Sequence, residues 1–330
     1  MNQFLYLLLK TYVKIGTRFY FSSVKVYGKE NLKGNGPFLF VANHQNAFMD
    51  GILVVISNAI NINTLIRADI FKTAFARTML TFLKLMPVYR IRDGWDTLGK
   101  NQQQFDDCVK HFLKKESVLL FPEGNHGFAR KLRPLSKGFA RIAFEAQRQH
   151  SELKLEIVPV GINYAHHWAF NRNANVYYGN PIRVSDYYKE PIPLQANLLK
   201  EAVGQEIEKL NATNSDYSEP IETNERIKKI ENGETVSVLS SKTPWVYWML
   251  LPLKPLAWLI NFPIILGWQL FKKRIKDLGF LSSMKFGYGI AIAPLYYLIM
   301  TGISALWLGW WCWLLFAGLM GSTKILKRPV

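Results

Sequence analysis

Residues 37–50 read Pro-Phe-Leu-Phe-Val-Ala-Asn-His-Gln-Asn-Ala-Phe-Met-Asp, and this stretch decides the fold class. The apolar run at 38–41 is typical of a buried strand, and an apolar helical pattern begins near Met49. Between them lie Asn43 and His44, at the strand end where α/β folds keep their working groups. A neutral imidazole can take a proton from a hydroxyl, and a carboxylate such as Asp50 can fix its tautomer. A capping histidine and an ordinary aspartate in the first helical turn are an equally good interpretation of this stretch alone.

Composition separates two parts of the 330-residue chain. Nine of the ten tryptophans lie at position 168 or beyond, and eight lie after 244, which indicates a soluble-type domain followed by a membrane segment. The formal net charge of +17 suits nucleic acid, an anionic membrane or a phosphorylated substrate. No nucleic-acid-binding motif accompanies the charge, so membrane lipids are the expected partner. Two cysteines, Cys108 and Cys312, make no disulfide framework.

Hydrophobic patterning predicts four regions. Residues 1–24 form an amphipathic helix with Lys10, Lys14 and Arg18 in one stripe, which indicates either a membrane-interface helix or a surface helix packed on the domain. Residues 25–210 alternate strands with helices and predict a layered α/β domain. Residues 211–243 are a polar linker. Residues 244–330 are a hydrophobic membrane region, in which 286–321 is long enough for one helix or a tight pair.

The individual elements of the α/β domain follow from the same patterns. The predicted strands are 38–41, 64–68, 88–91, 117–121, 155–163 and 175–178, with a further strand between 20 and 36. The predicted helices are 50–60, 70–86, 98–115, 134–148 and 194–210. Pro87 is expected to end the second of these helices, since proline cannot continue one.

The hydrophobic region has two apolar stretches, 245–271 and 286–321, and the basic clusters that flank the second one predict its orientation. Lys272, Lys273, Arg274 and Lys276 precede it, and Lys324, Lys327 and Arg328 follow it, so both ends should be cytoplasmic. The α/β domain is also expected to face the cytoplasm. If it does, the first stretch should be re-entrant or a hairpin, and the second should be a hairpin. The number of spans stays open.

Four sequence blocks occur in order along the predicted domain. They are His44 with Asp50, Arg90 in Pro-Val-Tyr-Arg, Phe-Pro-Glu-Gly at 121–124, and Val-Pro-Val-Gly at 158–161. Together they resemble the glycerol-3-phosphate and lysophosphatidate acyltransferase superfamily. The resemblance covers residues 25–185, about half of the chain, and it implies a mixed sheet flanked by helices.

The resemblance also implies roles for the matching residues. His44 would be the general base that deprotonates an acceptor hydroxyl, and Asp50 would orient it. Arg90 would hold the acceptor phosphate. Glu123 and Gly124 would line the acceptor site, with Glu123 contacting a glycerol hydroxyl or Arg90. The fourth block would be mostly structural, with Pro159 and Gly161 shaping a strand next to the site.

Other residues are weaker candidates for substrate binding. Asn43 precedes the histidine, His126 could be a second phosphate contact or an ordinary turn residue, and Lys137 could support an anionic head group or lie solvated at a helix start. His166 and His167 are adjacent rather than spaced for a metal, so no metal site is expected. No cofactor is expected either, because the acyl donor, acyl-CoA or acyl carrier protein, is itself a substrate.

The spacing between His44 and Asp50 departs from the usual family pattern. Five residues separate them here instead of four, which puts them about 240° apart on a regular helix. They can pair only if a turn or bulge intervenes. Some glycerol-3-phosphate acyltransferases resemble this chain in the longer spacer, which favours glycerol-3-phosphate as the acceptor, with lysophosphatidate next. A non-catalytic lipid-binding protein and a hydrolase that activates water are the alternatives from other classes.

Overall fold

The computed structural model describes residues 3–33, 36–89, 99–127, 131–165, 167, 170, 172–211, 251–309, 314, 317–319 and 321–322. Its elements in chain order are α1 (Gln3–Tyr20), β1 (Ser23–Tyr27), β2 (Phe38–Ala42), α2 (Ala47–Ser57), β3 (Ile62–Arg67), α3 (Ala74–Phe82), β4 (Leu85–Val88), α4 (Lys100–Leu113), β5 (Ser117–Leu120), α5 (Gly138–Gln149), β6 (Glu156–Tyr164), β7 (Asn173–Tyr178), β8 (Ile182–Arg183), α6 (Ile192–Leu210), α7 (Lys254–Lys272) and α8 (Leu281–Leu308).

The strands form one eight-stranded sheet in the order β1-β7-β6-β2-β5-β3-β4, with β8 also paired to β6. The pairings of β6 with β7 and β8 are antiparallel, and the other described pairings are parallel. Strand β2 lies between β5 and β6 and is buried along its whole length. A parallel strand covered on both faces reads as a continuous apolar run, which is why 38–41 has no alternation. The predicted mixed sheet flanked by helices is confirmed.

Two hydrophobic cores lie on opposite faces of the sheet. Leu39 and Val41 of β2 pack with α4, α5 and α6, whereas Phe38, Phe40 and Ala42 face the core that includes residues of α2. Helices α1 and α8 also cover this second face, and Phe286 of α8 is 2% exposed within it. The C-terminal helix is therefore part of the core beneath the strand that carries His44.

The predicted helix at 70–86 is wrong. A short 3₁₀ turn covers Ala68–Ile70, α3 covers Ala74–Phe82, and β4 then begins at Leu85. Pro87 lies inside β4, in register with Ile66 of β3, rather than at a helix end. Strand β4 is at the edge of the sheet, and an edge strand tolerates a residue without an N–H on its unpaired side. The polar stretch predicted as a linker falls, apart from Asn211, outside the described residues.

Helix α1 leaves several of its apolar side chains exposed. Leu5, Leu8 and Ile15 are each about half exposed. Lys10 departs from the expected exposed stripe, because it is half-buried and its Nζ donates to the carbonyl of Asn58 at 3.1 Å. Burial lowers the pKa of Lys10 to about 8, and nearby lysines act in the same direction.

Helices α7 and α8 pack antiparallel. Tyr288 Oη donates to the carbonyl of Ile264 at 3.1 Å, and Tyr296 Oη donates to that of Ile260 at 3.0 Å. Within the described residues, the segment Leu281–Trp307 is long and apolar enough to cross a membrane. Only 11% of the residues in its most apolar 18-residue stretch are buried. After α8 the chain turns back, because Ser322 lies against Asn261 of α7 at 2.8 Å.

The packing of α6 on β6 generates a test of the fold. A Cβ at Gly161 would lie 2.7 Å from the carbonyl oxygen of Leu210, so Gly161→Ala should force α6 away from the strand. We expect a loss of about 1–3 kcal/mol in stability, typical of overpacking, measured as a lower thermal midpoint in detergent. Gly204→Ala is the matched control, since its Cβ would be 3.6 Å from Leu135 in a helix interior that favours alanine. Equal midpoints for the two variants would contradict this account.

Candidate active site

The carboxylate of Asp50 is buried and accepts four hydrogen bonds. Its Oδ2 accepts from His44 Nδ1 at 2.8 Å and from the backbone N–H groups of Gln45 at 2.8 Å and Asn46 at 2.7 Å. Its Oδ1 accepts from Tyr164 Oη at 2.7 Å. Burial and the Asp50 charge raise the pKa of Tyr164 well above its usual value, so this phenol stays a donor. The carboxylate is thus held as a fully bonded anion with 0% exposure.

The five-residue spacer works because the chain is not helical throughout it. Helix α2 begins at Ala47, three residues earlier than predicted, and Ala47 has a φ of 34°. The turn at residues 45 and 46 brings the histidine back over the first helical turn. Asp50 bonds the backbone of that turn and lies at the positive end of the helix, which stabilises a carboxylate. The intervening turn that the spacing required is therefore present.

The ring of His44 lines a cavity, and one of its nitrogens is bonded to Asp50. Because an ionised carboxylate only accepts hydrogen bonds, the neutral ring carries its proton on Nδ1 and keeps the lone pair on Nε2. The ring stacks on Phe121, with centroids 4.3 Å apart, and the side chain is 15% exposed. Such a nitrogen can accept a proton from a bound hydroxyl.

Glu123 and Arg133 form hydrogen bonds with the backbone of His44. Glu123 Oε1 accepts from the N–H of His44 at 2.8 Å, and Oε2 pairs with Nε of Arg133. Arg133 Nη2 in turn donates to the carbonyl of His44 at 3.1 Å, which also accepts from Gly127 N–H. Burial raises the pKa of Glu123, while the His44 N–H and Arg133 act in the opposite direction. The described partners of Glu123 are thus the His44 backbone and Arg133, and its expected contact with a glycerol hydroxyl or Arg90 stays a prediction.

The turn after β5 aims these groups at the cavity. Gly124 has a φ of 76°, which glycine adopts without steric cost, and its N–H donates to the carbonyl of Phe121 at 3.1 Å. No other atom lies within 4 Å of the position that a Cβ would take there. Backbone conformation, and not crowding, is what favours glycine at this position.

Asn43 has a structural role in this arrangement. Its side chain is 1% exposed, and it both donates to the carbonyl and accepts from the N–H of Ile162, at 3.0 and 2.7 Å. These bonds tie the end of β2 to β6. The expected contact of Asn43 with substrate stays a prediction.

His126 lies beside the His44–Asp50 pair, with its ring centroid 5.8 Å from that of His44. Its Nε2 is 3.5 Å from Oδ2 of Asp277, a residue of the segment between α7 and α8. Burial lowers the pKa of His126, the neighbouring His44 lowers it further, and Asp277 acts in the opposite direction.

A cavity of about 1220 Å³ opens at His44 and has two chemically different regions. A mainly apolar region runs between α1, α2, α3 and β3, where Lys10 and Arg67 also line the cavity, and its apolar lining is Leu9, Val13, Ile52, Val55, Leu65 and Leu83. A cationic region is lined by Lys137, Arg141 and Lys200. The volume exceeds the roughly 300–1,000 Å³ of ordinary small-molecule pockets, so it admits a long apolar chain together with an anionic group.

Arg90 lies outside the described residues, so its expected phosphate contact stays a prediction. Among the residues that the structure describes, no three His, Cys, Asp or Glu side chains cluster as a metal ion would require.

Sequence reasoning missed three side chains of the site. Tyr164 lies one residue past the predicted end of its strand, and Arg133 lies in a basic stretch before α5 that forms no recognisable motif. Phe280, which lines the cavity, comes from the C-terminal region and has no motif. The basic residues before α5 were the one signal that could have led to Arg133.

Comparison with known proteins supports the family resemblance. Residues 23–163 match the sequence model of the family described as Acyltransferase, and we call this part of the chain the acyltransferase-family domain. The domain contains His44, Asp50 and Glu123. The resemblance inferred from the four sequence blocks is confirmed at this level.

Three relatives illustrate the match. Glycerol-3-phosphate O-acyltransferases 2 and 1 of Saccharomyces cerevisiae are 31% and 29% identical over 36% and 33% of this chain. An uncharacterised acyltransferase of Schizosaccharomyces pombe is 30% identical over 26% of this chain. The matched regions make up only 15%, 15% and 13% of those yeast proteins.

One solved structure is also similar. It is the 1-acyl-sn-glycerophosphate acyltransferase of Thermotoga maritima, which is 21% identical. The alignment covers 59% of this chain and 78% of that one, with a TM-score of 0.42.

The burial of His126 predicts a pH dependence of stability. Its folded pKa lies below the ordinary value of about 6.5. As the pH falls through that value, the unfolded chain takes up a proton that the folded chain does not, so stability falls. We therefore expect the thermal midpoint of the wild type, relative to that of His126→Gln, to decrease between pH 7.5 and 5.5. A midpoint difference that is constant over this range would contradict the assignment.

Proposed function

We propose that this chain is a membrane-bound O-acyltransferase of phospholipid biosynthesis. It moves a fatty acyl group from acyl-CoA or acyl carrier protein to a hydroxyl of glycerol-3-phosphate. The observation that carries the proposal is the His44–Asp50 pair at a cavity with one apolar and one cationic region, within an acyltransferase-family domain.

The chemistry follows from the free nitrogen of His44. The acceptor hydroxyl loses its proton to Nε2 while its oxygen forms a bond to the thioester carbonyl carbon. Asp50 stabilises the imidazolium that results, since its carboxylate is already bonded to Nδ1–H. The carbon–sulfur bond then breaks, and the imidazolium returns the proton to the departing thiolate. The substrate supplies the nucleophile, so no enzyme serine or cysteine is needed.

Positioning is the second contribution of the protein. The backbone N–H of His44 donates to Glu123, and its carbonyl accepts from Arg133. These bonds restrict the backbone at His44 and so help to hold the ring in place. Phe121 stacks on the ring and restricts its rotation. A base fixed in this way loses little entropy when the reactants meet it. Glu123 thus acts through His44 rather than on the acceptor.

The two regions of the cavity match the two kinds of substrate group. The apolar region suits a fatty acyl chain, for which each buried methylene contributes about 0.8 kcal/mol. Lys137, together with Arg141 and Lys200, suits a phosphate of the acceptor or of the donor. His126 and Arg90 remain proposed phosphate contacts on the sequence resemblance.

Glycerol-3-phosphate is the proposed acceptor for two reasons. The curated Saccharomyces cerevisiae relatives are named as glycerol-3-phosphate O-acyltransferases. The five-residue spacer also resembles that branch. Lysophosphatidate is the alternative acceptor, since its phosphate and free hydroxyl would meet the same groups.

A membrane location with the catalytic domain on the cytoplasmic side is part of the proposal. The apolar face of α1 and the surface of α8 are both exposed, as lipid-facing surfaces would be. The basic residues at 272–276 lie next to the turn that touches His126, so they are on the same side as the site. Basic loops stay in the cytoplasm, which supports that orientation.

His44→Ala tests the mechanism directly. Loss of a positioned general base should lower kcat by roughly 10²–10⁴-fold, without loss of expression or membrane association. The measurement is incorporation of labelled glycerol-3-phosphate into lipid in membranes supplied with acyl-CoA. His150→Ala, which changes a surface histidine, is the matched control. If His44→Ala keeps most of the activity, the mechanism is wrong.

The same assay separates the rival functions. A panel of glycerol-3-phosphate, lysophosphatidate and other lysolipids identifies the acceptor. If no labelled product forms with any of these acceptors, a non-catalytic lipid-binding protein would be favoured. Release of free fatty acid without dependence on an acceptor would favour a hydrolase.

Filling the apolar region tests the acyl subsite. Val55→Trp should shorten the preferred acyl chain, because the larger ring would exclude the distal methylenes while the reacting end is untouched. The measurement is kcat/KM across acyl-CoA donors from medium to long chains. Phe75→Trp is the control, since Phe75 of α3 is 74% exposed and does not line the cavity. An unchanged chain-length profile for Val55→Trp would exclude this region as the acyl site.

A further inference from the structure

The turn between α7 and α8 contacts the candidate active site from outside the acyltransferase-family domain. It consists of residues 277–280, whereas the family match ends at residue 163. The ring of Phe280 lies 5.7 Å from that of Phe48 and 5.1 Å from that of His126, measured between centroids. Phe280 also lines the cavity at His44. A segment more than a hundred residues downstream thus forms part of the wall of the site.

Gly279 allows this close approach. A Cβ at this position would overlap Nε2 of His126, so any other residue would push the imidazole away. The backbone of the turn therefore serves as the surface on which His126 rests. Asp277 lies on the same side of the ring, with its carboxylate 3.5 Å from Nε2.

The start of α8 holds the turn in place. Ser283 Oγ accepts from the N–H of Met49, next to Phe48 in α2, at 3.2 Å. The hydroxyl of Tyr20 in α1 is hydrogen-bonded to Oγ of Ser282 at 3.0 Å and donates to the backbone carbonyl of Ser282 at 3.3 Å. These three serine contacts are buried, so the turn is joined to the helix that carries Asp50 rather than resting loosely on the surface.

We propose that Phe280 is a specificity-determining residue that contacts the acyl group next to its carbonyl carbon. The inference rests on the proposed acyl transfer. In that reaction the carbonyl carbon must lie close to His44 Nε2, in a space bounded by Phe121, His126 and Phe280. An aromatic ring offers apolar contact, which the first carbons of the acyl chain can match and a phosphate cannot. Gly279 and Asp277 are positioning residues for this wall.

Branching of the donor is the direct test. Phe280→Ala should open space beside the carbonyl, so the ratio of kcat/KM for a 2-methyl-branched acyl-CoA to that for the straight-chain donor should rise. We expect a rise of roughly tenfold or more, the smallest discrimination that one carbon gives in a hydrophobic pocket. Phe280→Leu, which keeps a large apolar side chain, should have a ratio close to that of the wild type. Leu270→Ala of α7, at a 58% exposed position, is the matched control and should leave the ratio unchanged.

The outcomes of this test distinguish the two proposals. A wild type that transfers no acyl group to any acceptor defeats the proposed function. An active wild type whose ratio is not altered by Phe280→Ala defeats only the assignment of Phe280. A ratio that changes equally in Leu270→Ala also defeats it, since the effect would then be general.

A double-mutant cycle tests the seating of the turn without any substrate. Gly279→Ala should lower the thermal midpoint in the wild type but have little further effect in His126→Ala, because the ring that it would strike is gone. The same four proteins should show the same coupling in kcat/KM for straight-chain donors. Equal losses from Gly279→Ala in both backgrounds would show that contact with His126 is not what requires glycine.

Discussion

The structure of the site depends on one buried anion. Asp50 has no contact with solvent, and its charge is compensated by four donors, which come from His44, from the backbone of the turn at residues 45 and 46, and from Tyr164. A buried carboxylate with fewer partners would be neutralised or expelled, since burying an unpaired charge costs many kcal/mol. The same bonds that make this anion tolerable fix the tautomer of the histidine. The strand end, the first turn of α2 and the end of β6 are therefore held in one arrangement.

The acyltransferase-family domain does not complete the site alone. Helix α8 contributes Phe286 to the core beneath β2, and the turn before it places Phe280 and Asp277 at His126. Removing the C-terminal helices would uncover that core and open one side of the cavity. The apolar C-terminal region thus has two roles: it presents an exposed apolar surface, as a membrane-bound protein would, and it supplies a wall to the site.

Much of the fold was predictable because local patterning and burial agree. The continuous apolar run at 38–41 and the strands near 117 and 155 are covered on both faces. Their burial in the folded protein therefore agrees with the strand conformation that their apolar sequence already favours. The predicted helix through 70–86 failed because Pro87 was interpreted as a helix end, when an edge strand accepts it equally well. Periodicity cannot distinguish these cases, since edge position is a property of the whole sheet.

At the candidate site, local sequence patterns were enough to locate a histidine at a strand end, an aspartate near it, and a Pro-Glu-Gly turn later in the chain. The partners of these residues follow from the three-dimensional packing. It paired Glu123 with Arg133 and the His44 backbone, used Asn43 to tie two strands, and brought Tyr164 and Phe280 to the same cavity. Such contacts join residues up to more than two hundred positions apart. Motif spacing records only neighbours along the chain, whereas these distances are set by how the helices pack on the two faces of the sheet.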